Sequence, residues 1–163
     1  MATRNNIGKT IYVAQALPAT NNAAGFEALS WVQAKGVQTL PQLGVSHSGI
    51  DVPDLATGFT ASVKGAATGV ESTMSFRRVS ADAGQIDIKE QSDNGQGLLS
   101  VKIVTGSGVD TGDGPAPVAG DRVQYAQGYV HSYQENQGDT TTHEGFTVTF
   151  RQNALTVDAT EPA

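Results

Sequence analysis

The chain has 163 residues, no cysteine and a net charge of −6. That length is about one domain with room for an ordinary hydrophobic core, and without thiols neither disulfides nor thiolate metal sites are available. Its acidic balance argues against gripping nucleic acid through phosphates, which takes Lys and Arg; no apolar run approaches the ~20 residues of a membrane span, and the opening MATRNNIGKT lacks the apolar stretch of a secretory leader, so the expectation is a soluble chain made in a cytoplasm.

Most of the chain alternates with period two, the mark of half-buried strands. Ile11 and Val13 alternate with Thr10, Tyr12 and Ala14. Trp31 alternates with Gln33 and Lys35 in a possible strand, where a core or interface position outweighs a sugar platform. Residues 40 to 58, LPQLGVSHSGIDVPDLATG, read as a long connection with two prolines. It carries Leu43, Val45, Ile50, Val52 and Leu55, five aliphatics for which a solvated loop has little use, and long loops in compact domains are commonly functional. Phe59, Ala61 and Val63 then alternate with Thr60, Ser62 and Lys64, and Gly65 to Gly69 read as a turn before a strand over Val70–Val79.

Next comes SADAGQIDIKEQSDNGQ, where the composition changes. Ser80 suits an N-cap, and Asp82 would place a negative charge in the first turn. Gly95 could end the segment in the left-handed conformation, and DIKEQSDN lacks the β-branched and aromatic residues of strands. The spacing predicts one helix over about 81–94, with Gly84 as its internal cost. Leu99, Val101 and Ile103 resume the strand pattern, and residues 105 to 121 form a Gly/Pro/Asp-rich loop. In RVQYAQGYVHSYQ, Val123, Tyr125, Tyr129 and Tyr133 share one face with His131, and Gln124, Ala126, Gly128, Ser132 and Gln134 the other. Phe146, Val148 and Phe150 oppose Thr147, Thr149 and Arg151. Arg122–Gln137 and His143–Gln152 should pair as a hairpin. The termini, about 1–8 and 158–163, are expected to be weakly ordered.

No motif points to catalysis. GKT at Gly8–Thr10 would need a glycine five residues before Gly8 to be a phosphate loop, and Thr3 stands there. DTGDG at Asp110–Gly114 lacks the spacing and distal glutamate of a calcium loop and reads as a turn. His47, His131 and His143 form no metal-ligand spacing. GVSHSG is not a nucleophile elbow, and glycosidase carboxylates need an aromatic-lined cleft that one Trp does not promise. No catalytic residue, metal site or cofactor is therefore assigned.

What remains is a repeated neutral polar face. Charged residues number 26, or 16%, against 47 Ser, Thr, Asn and Gln, where a typical soluble domain is about 25% charged. Antiparallel sheets often keep one wet face, but that face normally carries Lys and Glu. Here it carries Thr60, Ser62, Thr73, Ser75, Gln124, Ser132, Gln134, Thr147 and Thr149. Such strands suit a shared channel or a subunit interface.

The order of elements carries a family resemblance. ESTMSFRRV leads into SADAGQIDIKEQSDNGQG, then LLSVKIV, then a variable loop and two long strands in DRVQYAQGYVHSYQENQGDTTTHEGFTVTFRQ. This resembles the tail tube protein (major tail protein) of long-tailed, siphovirus-like bacteriophages, closely from Phe59 to Gln152 and loosely before. The resemblance implies a mainly β fold, an antiparallel β-sandwich or partly open barrel with one short flanking helix, forming a single tail-tube domain over 1–163. It implies a structural subunit and not an enzyme. Six copies would form a ring, and rings would stack into a tube conducting DNA from capsid to host, with no specific DNA binding and no membrane insertion. The nine polar residues named above become candidates for lumen or subunit interface. Leu43, Val45, Ile50, Val52 and Leu55 become candidates for an inter-ring loop over about 40–58. Other implied partners are tape-measure, tail-terminator and distal-tail proteins; the location is the tail of a virion assembled in the bacterial cytoplasm. A secretion-system or gene-transfer tube, and a small ligand-binding β-sandwich, are the alternatives.

Overall fold

A computed structural model describes residues 3–163. Ten strands and two helices follow in chain order: β1 (Lys9–Ala14), α1 (Ala23–Glu27), β2 (Val32–Ala34), β3 (Val37–Thr39), β4 (Val45–Asp54), β5 (Phe59–Gly69), β6 (Glu71–Arg77), α2 (Ala83–Asp93), β7 (Leu98–Thr105), β8 (Arg122–Glu135), β9 (Gly145–Gln152) and β10 (Val157–Thr160). The main sheet runs β2-β1-β7-β8-β9-β6-β3, with β10 continuing along β8, and every pairing is antiparallel. Its two edge strands are consecutive in the chain. Only Lys35 and Gly36 separate β2 from β3, so the sheet curls and its two edges come together at that corner without pairing. The result is the expected mainly β, partly open barrel.

The concave face holds the main core: Ile11, Val13, Met74, Phe76, Leu99, Val101, Ala126, Val130, Phe146, Val148 and Phe150, covered by Ile88 of α2. A satellite core lies on the opposite face, where Phe26 of α1, Val104, Val123 and Tyr125 meet Trp31, Val157 and Ala159. Phe26 stacks on Tyr125 at 5.0 Å, and Trp31 Nε1 donates to the Phe26 carbonyl at 2.9 Å. Trp31 is thus a packing residue.

The predicted helix is present but shorter, beginning two residues later and ending one earlier. Asp82, not Ser80, is the N-cap: its Oδ2 accepts from the Gln85 amide at 3.0 Å and from the Lys35 amide at 3.2 Å. Gly97, not Gly95, takes the left-handed turn, with φ of +61°, because a Cβ there would stand 2.5 Å from the Val130 carbonyl. Gly84 answers its own cost. A Cβ on it would stand 2.3 Å from the Gln33 carbonyl and 2.6 Å from Ala34 Cα, so only glycine lets α2 lie directly on β2.

Four further expectations are corrected. Residues 40–58 are not a loop: 45–54 are β4, paired with β5 in a separate two-stranded sheet from Asp54↔Phe59 to Val45↔Gly69. Pro53 is tolerated because both strands of such a ribbon are edges. Gly65–Gly69 are strand with a bulge, not a turn. On β8, Tyr125, Tyr129 and Tyr133 do not share a face. An extra residue between His131 and Gln134, with Ser132 at φ +60°, switches the side-chain alternation. Tyr125 thus joins the satellite core and Tyr133 stacks on Phe146 at 4.8 Å, next to the main core. Finally, the tail expected to be loose forms β10, and Glu161 meets the largely buried Lys102 at 2.8 Å; of the N-terminal stretch, residues 1 and 2 lie outside the described residues.

Gly84→Val should destabilise the chain by about 1–3 kcal/mol, the usual cost of overpacking, read as a lower urea midpoint. Tyr125 gives a second test. Its hydroxyl is buried without a hydrogen-bond partner, and burial first, then the nearby Glu161 and Glu27, pushes its pKa up to about 12. The folded chain therefore keeps a proton that the unfolded chain loses above about pH 10, so this group's contribution falls as pH rises from about 10 to 12. Tyr125→Phe should be near neutral at pH 7 and should lose stability less steeply over that alkaline range, as measured by urea unfolding at stepped pH.

Candidate assembly interface

Two surfaces lack the cover that their chemistry calls for. One is the β4–β5 hairpin. Its register places Ile50 opposite Val63, Val52 opposite Ala61 and Asp54 opposite Phe59, while Asp51, Pro53, Thr60 and Ser62 pair on the other side. One side of the ribbon is therefore apolar and the other polar. Nothing in the described chain covers the apolar side: Phe59 is 71% exposed, Leu55 at the tip fully so, and Ile50, Val52 and Val63 about half. A two-stranded ribbon is marginal alone in water, and a contiguous exposed apolar face marks an interaction site.

The hairpin is anchored at its root by a buried side chain. Gln152 Oε1 accepts from the Gly44 amide at 2.9 Å, and its Nε2 donates to the Ala154 carbonyl at 2.7 Å and Thr156 Oγ1 at 2.8 Å. The Val70 amide donates to the Gly44 carbonyl at 3.0 Å, closing the root. Gly69 is packed against this clamp, since a Cβ would overlap the Gln152 carbonyl. The Gln152 side chain thus holds the chain ahead of β4 at Gly44, and backbone bonds of Val70 to Gly44 and Gln152 hold it after β5.

The second surface is the convex face of β6, β9 and the end of β8. Thr73 lies opposite Thr149, Ser75 opposite Thr147, and Thr147 opposite Gln134. Five of the nine polar candidates therefore share one patch. Its charges are few: Glu71 lies 3.5 Å from Arg151 and 3.8 Å from His131, and Arg77, exposed at the end of β6 on the same face, has no ion pair among the described residues. The other four are elsewhere. Thr60 and Ser62 are on the hairpin, and Ser132 is the bulge residue. Gln124 lies opposite Ile103, whose side chain is in the main core, so it is on the concave side. Its Nε2 donates to Asp158 Oδ1 at 3.2 Å. Of the loop candidates, Ile50, Val52 and Leu55 are exposed on the hairpin, whereas Leu43 packs against the main core and Val45 is half-buried at the root.

The remaining polar motifs serve local structure. Asp110 Oδ1 accepts from the Gly112 amide at 2.7 Å and the Gly114 amide at 3.1 Å, as a turn does. His47 is on the hairpin, and His143 in the β8–β9 turn contacts Gln38 at 3.1 Å. Among the described residues no His, Cys, Asp or Glu cluster could hold a metal.

No family model and no curated protein matches the sequence. Solved structures do match the fold. The SPP1 tail tube superposes with a TM-score of 0.61 at 14% identity, over 96% of this chain and 78% of that one. The anti-feeding prophage baseplate, determined with six-fold symmetry, gives a TM-score of 0.64 at 8% identity over 99% and 98%. The sheath–tube complex of the PVC extracellular contractile injection system gives 0.61 at 10% identity over 98% and 93%. The fold is therefore that of tail tubes, shared by a phage tube and by contractile injection systems, and the chains that share it here are structural parts, not enzymes.

Gln152→Ala should free the Gly44 amide and loosen the root. Hydrogen exchange at Gly44 and Val70 should accelerate well beyond that of the β7–β8 amides.

Proposed function

We propose that this chain is the subunit of a hollow tail tube, with six copies in each ring and rings stacked end to end. One observation carries the reading: on a tail-tube fold, a rigidly anchored hairpin presents an apolar side that only another molecule can cover. Fully burying each of Ile50, Val52, Leu55, Phe59 and Val63 is worth up to about 1.5–3 kcal/mol, enough for repeated self-association. The six-fold symmetry of the anti-feeding prophage assembly supports the ring count.

The neutral patch of Thr73, Ser75, Gln134, Thr147 and Thr149 would line the lumen. DNA moving from capsid to host would pass it without specific contact, because a single unpaired cation, Arg77 at the edge of the patch, is too little to retain phosphates. Tape-measure, terminator and distal-tail proteins would be the further partners, and the tail of a virion the location. The second reading is the tube of a contractile injection system, favoured by coverage of over nine-tenths of those chains.

Replacing residues 45–69 with a short Gly-Ser link tests the tube reading. The expected product keeps its far-UV spectrum and forms no tubes by electron microscopy, whereas the unaltered chain does. Normal tubes from the shortened chain would overturn it. A second test concerns the lumen: Thr147→Lys with Thr149→Lys should slow DNA ejection at low salt, with recovery at high salt.

A further inference from the structure

The hairpin and a groove beside α2 lie at opposite ends of the same ladder. β5 runs into β6 through Val70 alone, so the hairpin leaves the sheet where β6 begins and β9 ends. At the other end, where Arg77 pairs with Gly145, a groove of about 450 Å³ opens between the first turns of α2 and the start of β9. Val79, Ile86, Tyr133 and Phe146 form its apolar walls, and Arg78 and Lys89 stand on its rim. Ile86 is 48% exposed although it faces this apolar space. Among the described residues no terminal segment fills it: Asn6–Lys9 border other grooves, and the C-terminal strand is paired to β8.

We infer that this groove is the seat for the hairpin tip of a second copy, with Leu55 and Phe59 entering between α2 and Tyr133. The inference rests on the tube reading and adds the receiving surface. A projection and a seat that are different patches of one chain make a heterologous contact, and such contacts repeat head to tail without limit. Apolar matter matches on both sides: Leu55 and Phe59 are among the most exposed large apolar residues, and the Tyr133–Phe146 stack offers a flat aromatic wall.

Charge matches as well. The tip carries Asp51 and Asp54, neither of which has an ion-pair partner among the described residues, and hydrogen bonds from the Ala56 amide and Thr57 hold Asp54 in its charged form. The groove rim carries Arg78 and Lys89; the groove is also lined by Glu144 and by Asp82, whose Oδ2 is already taken by the Gln85 and Lys35 amides. Each holds one intrachain carboxylate at the surface, Glu135 at 3.6 Å and Asp93 at 2.7 Å. Exposed pairs of this kind are weak and can admit a new carboxylate.

The chain has no cysteine, so introduced thiols report cleanly. Tubes of a Leu55→Cys, Ile86→Cys chain treated with a short bis-maleimide should shift from monomer to a ladder of multimers on a denaturing gel. Either single variant should not ladder, and neither should Leu55→Cys paired with Leu155→Cys, an exposed position just beyond β9. Tubes that form but ladder only through Leu155, or through neither pair, would overturn the seat and leave the tube reading standing. A wild-type chain that forms no tubes overturns both. Arg78→Glu gives an independent readout on the full chain: it should raise the concentration needed for assembly several-fold while Arg78→Lys restores it, and an unchanged threshold counts against the seat.

Discussion

The fold depends on how the two edges of one sheet are held together. β2 belongs to β1 and β3 to β6, and the backbone between and beside them would otherwise be left without partners. The first turn of α2 supplies them. Gln85 Nε2 donates to the Lys35 carbonyl at 2.7 Å and the Arg77 carbonyl at 2.8 Å, and its Oε1 accepts from the Val79 amide at 3.2 Å. Asp82 adds the Lys35 amide. Buried backbone groups must be paired, so one glutamine and one aspartate turn an open, curled sheet into a stable shell. Gly84 and Gly36 permit the close approach this needs: Gly36 has φ of +72° and accepts from the Arg77 amide at 2.7 Å. The helix in mid-chain is therefore a seam closure, which is why a strand-rich sequence interrupts itself there.

Once the seam is closed, the apolar residues divide into those the chain buries and those it cannot. The main core takes one face completely. The opposite face is covered at one end only, by α1 and β10, where even Ser100 and Lys102 are buried. At its other end β6 and β9 show threonine and serine to the outside. A hairpin with an apolar side then leaves the body at Gln152. A monomer selected for solitary life would charge such a side or fold it back; here it is left apolar on a clamped base.

Much of this was legible in the sequence, and the failures have physical causes. Period-two alternation located β1, β6, β7, β8 and β9, and the polar patch of Thr73, Ser75, Thr147 and Thr149 followed from it, because register on those strands is fixed by Phe76, Phe146 and Phe150. The α2 segment was visible from its composition and length, although Ser80 and Gly95 are not the residues that cap it. Pro53 and the scattered aliphatics disguised β4, since a ribbon of two edge strands tolerates both proline and exposed apolar groups. Ser132 looked like an ordinary polar position, yet one inserted residue moved Tyr133 to the other face. α1 was overlooked although Asn22, whose Oδ1 accepts from the Gly25 amide at 2.8 Å, is a recognisable N-cap. The Gln85 and Gln152 clamps were beyond reach, because a glutamine that secures distant backbone has no local signature.

The shortage of charge follows from the same division of surface. Burying a charge between subunits is costly unless it is paired, so any face that a neighbour covers is best built from neutral polar and apolar groups. The hairpin, residues 45–69, holds only Asp51, Asp54 and Lys64 as permanent charges in 25 residues, and the outer patch of β6 and β9 pairs Arg151 with Glu71. Two loop carboxylates are held by local hydrogen bonds: Asp139 accepts from the Thr141 and Thr142 amides, and in the 105–121 loop Asp121 accepts from the Ser107 and Val118 amides. Hydrogen bonds hold both carboxyls below their ordinary pKa, so these loops keep their negative charge and shape across the neutral range. The 11 residues of α2, by contrast, carry four charges, Asp87, Lys89, Glu90 and Asp93, so the hairpin is charge-poor beside the helix that closes the seam.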